Sequence, residues 1–122
     1  MKIYMICPVR ERTKEESGKL KAYVKNLESE GHDVYFPGRD TEFPEAPIYG
    51  PQIAEANRLK MVQSDEARVW YVPTSQGSAM DVGMAFAYGL PWKVANRRDV
   101  EAMKATDGFA GFLLHWEEKS CG

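Results

Sequence analysis

An α/β fold, a parallel sheet of about five strands flanked by helices in one domain over 1–122, is predicted by three features of the sequence. Short continuous apolar runs alternate with longer segments of helical period. The apolar runs lack the in–out alternation of a half-exposed sheet, so both faces of the sheet are expected to be covered. The 122 residues, 43% apolar and 28% charged, suffice for one core and an ordinary polar surface.

The elements follow in order. "KIYMIC" (2–7) is a strand ended by Pro8. Residues 13–30 place Leu20, Tyr23, Val24 and Leu27 on one helical face. Thr13 and Glu16 fit a capping box there, and Gly31 fits the stop. "HDVYFP" (32–37) is a second strand, and the Pro- and Gly-rich segment 38–51 is a loop long enough to suggest a role in function. Residues 52–64 are helical, with Ile53, Leu59, Met61 and Val62 expected to face inward. "ARVWYVP" (67–73) is a third strand, 79–89 a helix stopped by Gly89 and Pro91, and "WKVA" (92–95) a fourth strand. "VEAMKAT" reads as a short helix, and "FAGFLLHW" fits either a fifth strand or a last helix. Trp70 and Trp92 are expected in the core. Crossovers should be right-handed, which puts a ligand beyond the carboxyl ends of the strands.

Several function classes are disfavoured. A net charge of −2 offers no basic field for a nucleic-acid polymer. No run approaches membrane-spanning length, and the N-terminus does not read as a signal peptide, so a cytoplasmic protein is expected. Cys7 and Cys121 form no disulfide framework or metal-ligand spacing, and His32 and His115 are isolated. Neither a metal nor a cofactor is expected.

The stretch "SQGSAMDVGMAFAYGLP" (75–91) carries the chemistry. Ser75, Gly77 and Ser78 precede a helix whose first amides lack acceptors, which makes a seat for phosphate or an ordinary turn. Asp81 is either a helix-terminal charge, stabilising by roughly 0.3–1 kcal/mol, or a carboxylate facing a ligand. Tyr4 is a core residue or a phenol that orients the acid. Asn57 is a solvated side chain or a substrate contact, and Arg10 a surface cation or a phosphate ligand.

"KIYMICPVR", "GHDVYFP", "MVQSD", "VWYVP" and the 75–91 stretch occur in the order seen in the nucleoside 2-deoxyribosyltransferase family, which includes the 2'-deoxynucleoside 5'-monophosphate N-hydrolases. The chain resembles that family over about residues 2–95. The resemblance implies a flavodoxin-like (Rossmann-type) sheet and cleavage of an N-glycosidic bond. Asp81 stands where the family has its nucleophilic glutamate, and Tyr4 where a tyrosine orients that acid. Asn57 stands where the family has an aspartate that assists the base or binds the sugar. Ser75 and Arg10 match phosphate contacts of the hydrolases; transferases carry aspartate at the Ser75 position. The resemblance thus implies a small nucleotide or nucleoside as partner, hydrolysis in preference to transfer, and a homodimer or higher homo-oligomer. The departures at Asp81 and Asn57 motivate a second reading, a catalytically impaired nucleotide-binding module on the same fold.

Overall fold

A computed structural model describes residues 1–10, 12–40 and 50–121. The strands are β1 (Lys2–Ile6), β2 (Asp33–Tyr35), β3 (Glu66–Val69) and β4 (Trp92–Val94); the helices are α1 (Lys14–Ser29), α2 (Gly50–Val62), α3 (Gln76–Tyr88), α4 (Arg97–Met103) and α5 (Gly108–Cys121). The described residues form one four-stranded sheet of order β2-β1-β3-β4, parallel throughout. The expected loop at 38–51 falls largely on residues outside those described.

Two cores lie on opposite faces of the sheet. Ile3, Met5 and Cys7 of the first strand segment meet Leu20, Val24 and Leu27 of α1 on one face. On the other, Tyr4 and Ile6 meet Met61 of α2, Val82 and Ala85 of α3, and Val100, Ala110 and Leu113 from α4 and α5. The alternation along β1 is therefore between two buried faces, which is why the strand reads as a continuous apolar run.

Local signals explain the helix ends. Thr13 Oγ1 accepts from Glu16 N at 3.1 Å, and Glu16 Oε1 accepts from Thr13 N at 3.1 Å, completing the capping box. Gly89 ends α3 in the left-handed region at φ 79°, where a side chain would be strained.

The sheet has four strands, not about five, because 108–121 is a helix. Phe109, Ala110, Phe112, Leu113 and Trp116 recur at helical spacing, and Asp107 Oδ1 accepts from Phe109 N at 2.9 Å. The new helix covers the edge a fifth strand would have paired with. Trp92 N donates to Ser120 Oγ at 3.4 Å and Val94 N to Glu117 Oε2 at 3.1 Å. The opposite edge is treated likewise: Arg39 Nη2 donates to Val34 O at 3.0 Å, and Phe36 N donates to Asp40 Oδ2 at 2.8 Å. Side chains thus occupy ladder positions at both edges and blunt them against further strand pairing.

Two inward expectations on α2 are corrected. Leu59 and Val62 are exposed, at 54% and 42%, whereas Asn57 and Met61 are buried. Asn57 and Met61 are four residues apart and define the packed side of this helix.

Candidate functional site

Helices α2 and α3 pack on the Tyr4 face of the sheet, where Met61, Val82 and Ala85 join its core. Helix α3 begins at Gln76, three residues earlier than the sequence suggested. Asp81 consequently lies in the second turn, and the first turn holds no acid. A helix-dipole role for Asp81 loses its geometric basis, since that effect falls off beyond the first turn.

Asp81 instead faces inward with Ser78, Val82 and Ala85. Asp81 is 7% exposed, and Tyr4, fully buried in β1, donates its hydroxyl to Asp81 Oδ2 at 3.0 Å. The other oxygen, Oδ1, has no hydrogen-bond partner among the described residues and is not sealed from solvent. Burial pushes the Asp81 carboxyl up to about 6, while the Tyr4 hydrogen bond opposes the rise. Burial first, then the Asp81 charge, drives the Tyr4 phenol far above its usual range, so it stays a donor. The pair therefore presents an anionic carboxylate at neutral pH with one oxygen fixed and the other free.

Tyr35 packs its ring 5.3 Å from that of Tyr4, and Lys60 lies 5.7 Å over the Tyr35 ring. Cys7 ends the β1 segment, buried; burial pushes its thiol up to about 12, Arg12 pulls it down and Asp81 pushes it up. One buried thiol thus lies within electrostatic reach of both a guanidinium and the Asp81 carboxylate.

Asn57 is 8% exposed, and its Oδ1 is buried without a partner. An unpaired acceptor in that setting invites a donor from a ligand. Ser75 is the N-cap of α3: its Oγ accepts from Ser78 N at 3.2 Å and donates to Ser78 Oγ at 2.9 Å. Both serines are buried. Gly77 and Ser78 belong to the first helical turn rather than to a preceding loop. The amides of Gln76 and Gly77 precede any intrahelical acceptor, and a Cβ at Gly77 would meet nothing within 4 Å. Arg10 is exposed and makes no hydrogen bond or ion pair among the described residues.

Sequence reasoning missed Arg12, Tyr35 and Asn96. Asn96 Oδ1 accepts from Tyr71 N at 2.8 Å while its Nδ2 donates to Tyr71 O at 2.8 Å, so a side-chain amide extends the ladder beside β3. Tyr71 in turn donates to Asp107 Oδ2 at 2.7 Å and ties the α5 cap to the end of β3. No sequence signal marks a lone Asn as a strand surrogate. Among the described residues no three metal-ligating side chains converge, and no helix is long and apolar enough to cross a membrane.

Two grooves among the described residues lie elsewhere. One of about 330 Å³ runs beside β2, lined by Lys2, Asp33, Tyr35, Arg39 and Lys60 among others. The second, of about 220 Å³, lies between β4 and α5. Neither is lined by Asp81.

No protein-family model matches the chain, and no curated protein matches it in sequence. Solved structures do. A conserved protein from Enterococcus faecalis V583 superposes with a TM-score of 0.71 at 17% identity, over 98% of this chain and 87% of that one. A 2-deoxyribosyltransferase from Bacillus psychrosaccharolyticus gives a TM-score of 0.65 at 19% identity, over 77% of this chain and 71% of that one. A CMP N-glycosidase from Clostridium botulinum gives 0.58 at 19% identity, over 77% and 70%. At these identities the likeness establishes a shared fold, the flavodoxin-like parallel sheet expected from the sequence, here with four strands.

Proposed function

We propose that this chain, which shares its fold with a 2-deoxyribosyltransferase and a CMP N-glycosidase, is an enzyme that cleaves the N-glycosidic bond of a nucleoside or nucleoside 5'-monophosphate. The observation that carries the reading is the buried hydrogen bond from Tyr4 to Asp81 Oδ2, which leaves Oδ1 free. Fixing one oxygen holds the carboxylate in a single rotamer, and positioning of this kind accounts for much of a nucleophile's efficiency.

Asp81 Oδ1 attacks C1' of the sugar, the C1'–N bond breaks, and the base departs with the bonding electron pair. A sugar ester of Asp81 remains. Water attacks C1' of that ester, loses its proton, and regenerates the carboxylate. With a second base in place of water the same intermediate gives transfer. Asn57 contacts sugar or base through its unpaired Oδ1, and being an amide it supplies no acidic proton to the leaving base. The first turn of α3, with Ser75, Gly77 and Ser78, and the arginines after β1 receive the phosphate. Ser75 favours hydrolysis of a monophosphate over transfer between nucleosides, since it keeps an anionic side chain away from that turn.

Incubation with single nucleoside 5'-monophosphates and nucleosides, followed by chromatography of the free base, tests the reaction. Mass spectrometry of the protein tests the nucleophile: a sugar-mass adduct is expected, and is lost in Asp81→Ala. No base from any substrate, with base exchange equally silent, overturns the reading. The amide at position 57 favours the second reading, a nucleotide-binding module without turnover; saturable calorimetric binding with no base release would select it.

A further inference from the structure

We propose that Tyr35 is a positioning residue for the reaction: its ring walls in Tyr4 and so holds the Tyr4 phenol on Asp81 Oδ2; this assignment rests on the glycosidic reading above. Tyr35 and Tyr4 are register partners on the adjacent parallel strands β2 and β1. Partners in register present their side chains to the same face of a sheet. The two rings lie 5.3 Å apart between centroids, tilted by 34°, and Tyr35 packs against the core that contains Tyr4. Burial and the Asp81 charge dominate the rise of the Tyr4 phenol, and Tyr35 adds to it, so the two phenols are near each other as well as the two rings.

The two flanks of Tyr4 are unequal. On the β3 side its register partner is Ala67, whose side chain is a methyl group, and the next large side chain in that row is Trp92, one strand further on. On the β2 side stands Tyr35, and β2 is an edge of the sheet. Tyr35 lines the groove of about 330 Å³ beside that edge and Tyr4 does not, so the Tyr35 ring separates the buried phenol from open space. Lys60 of α2 puts its ammonium 5.7 Å from the centroid of the Tyr35 ring, a cation–π contact that ties the ring to a second element.

Confinement of this kind matters because the phenol has one task. A single hydrogen bond of 3.0 Å fixes Asp81 Oδ2 and leaves Oδ1 for attack. A ring with room on one flank rocks about its side-chain torsions, and a displacement of ~1 Å in a positioned group can cost about 100-fold in rate. A shorter apolar side chain in place of the Tyr35 ring opens that flank toward the groove without adding charge. The phenol then swings, its hydrogen bond lengthens, and its hold on the Asp81 carboxyl weakens. Tyr35 acts through Tyr4 rather than on the substrate, so the loss falls on kcat and not on KM.

Tyr35→Leu, Tyr35→Phe and Val34→Ala are compared with the unaltered protein. Val34 is buried in the same strand but belongs to the other core, with Ile3 and Met5, so Val34→Ala loosens β2 without removing the wall beside Tyr4. The first measurement needs no turnover. The Asp81 side-chain carboxyl is titrated by carbon-13 NMR, its resonance assigned by its disappearance in Asp81→Asn. Burial pushes this carboxyl up to about 6 and the Tyr4 hydrogen bond opposes the rise. Tyr35→Leu is therefore expected to raise the midpoint by roughly half a pH unit. Cys7, the other titratable group beside Tyr4, is pushed by burial up to about 12 and stays a neutral thiol across this range. Tyr35→Phe and Val34→Ala should leave the midpoint in place. An unmoved or lowered midpoint in Tyr35→Leu, or an equal rise in either of the other two variants, overturns the assignment. Base release supplies the second measurement: kcat about 10-fold lower in Tyr35→Leu with KM unchanged, and restored in Tyr35→Phe. A rise in KM in place of the fall in kcat also overturns it. If the midpoint rises and the unaltered protein releases no base, the hold of Tyr35 on the pair stands and the glycosidic reading falls. If base is released and the midpoint stays, the glycosidic reading stands and the role of Tyr35 falls.

Discussion

Tyr4 and Asp81 are separated by 77 residues in the chain and joined by a buried hydrogen bond of 3.0 Å between phenol and carboxylate. One lies in the second of the sheet's four strands in spatial order, the other in the helix that leaves the third. Parallel topology brings them together, because the α3 crossover packs back over the face that Tyr4 presents.

Ionised Asp81 is held at a cost to the fold. Its carboxyl sits at about 6 in the folded chain against an ordinary value of 3.8. Between those values the folded state keeps a proton that the unfolded state has released, so stability falls as pH rises from about 4 to 6. Asp81→Asn removes the penalty. The variant is expected to be more stable at pH 7 by about 1–3 kcal/mol, with the gain vanishing below pH 4, and to release no base. Denaturant unfolding at the two pH values, beside an activity assay, checks both halves.

The same carboxyl sets the acidic limb of activity. The nucleophile must be ionised, so kcat/KM should fall as pH drops through about 6. Tyr4 lowers that value through its hydrogen bond. Tyr4→Phe is expected to move the limb upward by roughly one pH unit and to reduce kcat about 10- to 100-fold as the rotamer is freed. A profile whose limb stays in place would separate Tyr4 from the titration of Asp81.

Ser75 both caps α3 and stands at the proposed phosphate seat. Ser75→Ala is expected to lower stability by about 1 kcal/mol through loss of the cap. Ser75→Asp keeps a capping oxygen but adds negative charge. It should preserve Tm while shifting the ratio of kcat/KM from nucleotide toward nucleoside by roughly 10-fold or more. Comparison of the two variants by thermal unfolding and paired substrates separates the structural from the binding contribution.

Glu117 answers a different question, whether the sheet edge depends on α5. Its carboxylate accepts from Val94 N at 3.1 Å and pairs with Arg97 at 2.8 Å. Glu117→Ala leaves a strand N–H without an acceptor, and a loss of about 1–2 kcal/mol is expected. Base release per folded molecule should be unchanged. Light scattering is expected to show greater self-association than in the unaltered protein, through the uncovered edge.

Much of this arrangement was legible in residue order. Apolar runs, helical spacing, the Thr13–Glu16 box and the Gly89 stop are short-range features, set by hydrogen bonds and rotamer limits within a few residues, and they placed four strands and four helices. Resemblance of the 75–91 stretch and the first strand brought forward Tyr4 and Asp81. The remainder depended on contacts between distant segments. Only the fold showed that α3 starts early enough to remove Asp81 from the helix terminus, and that 108–121 is a helix sheltering the edge of β4. Likewise only packing buries Asn57, turns Leu59 and Val62 outward, and leaves the Arg12 Nε–H unpaired beside Phe36. The physical reason is that local periodicity fixes which residues share a helix face, while strand order and crossover direction decide what that face meets.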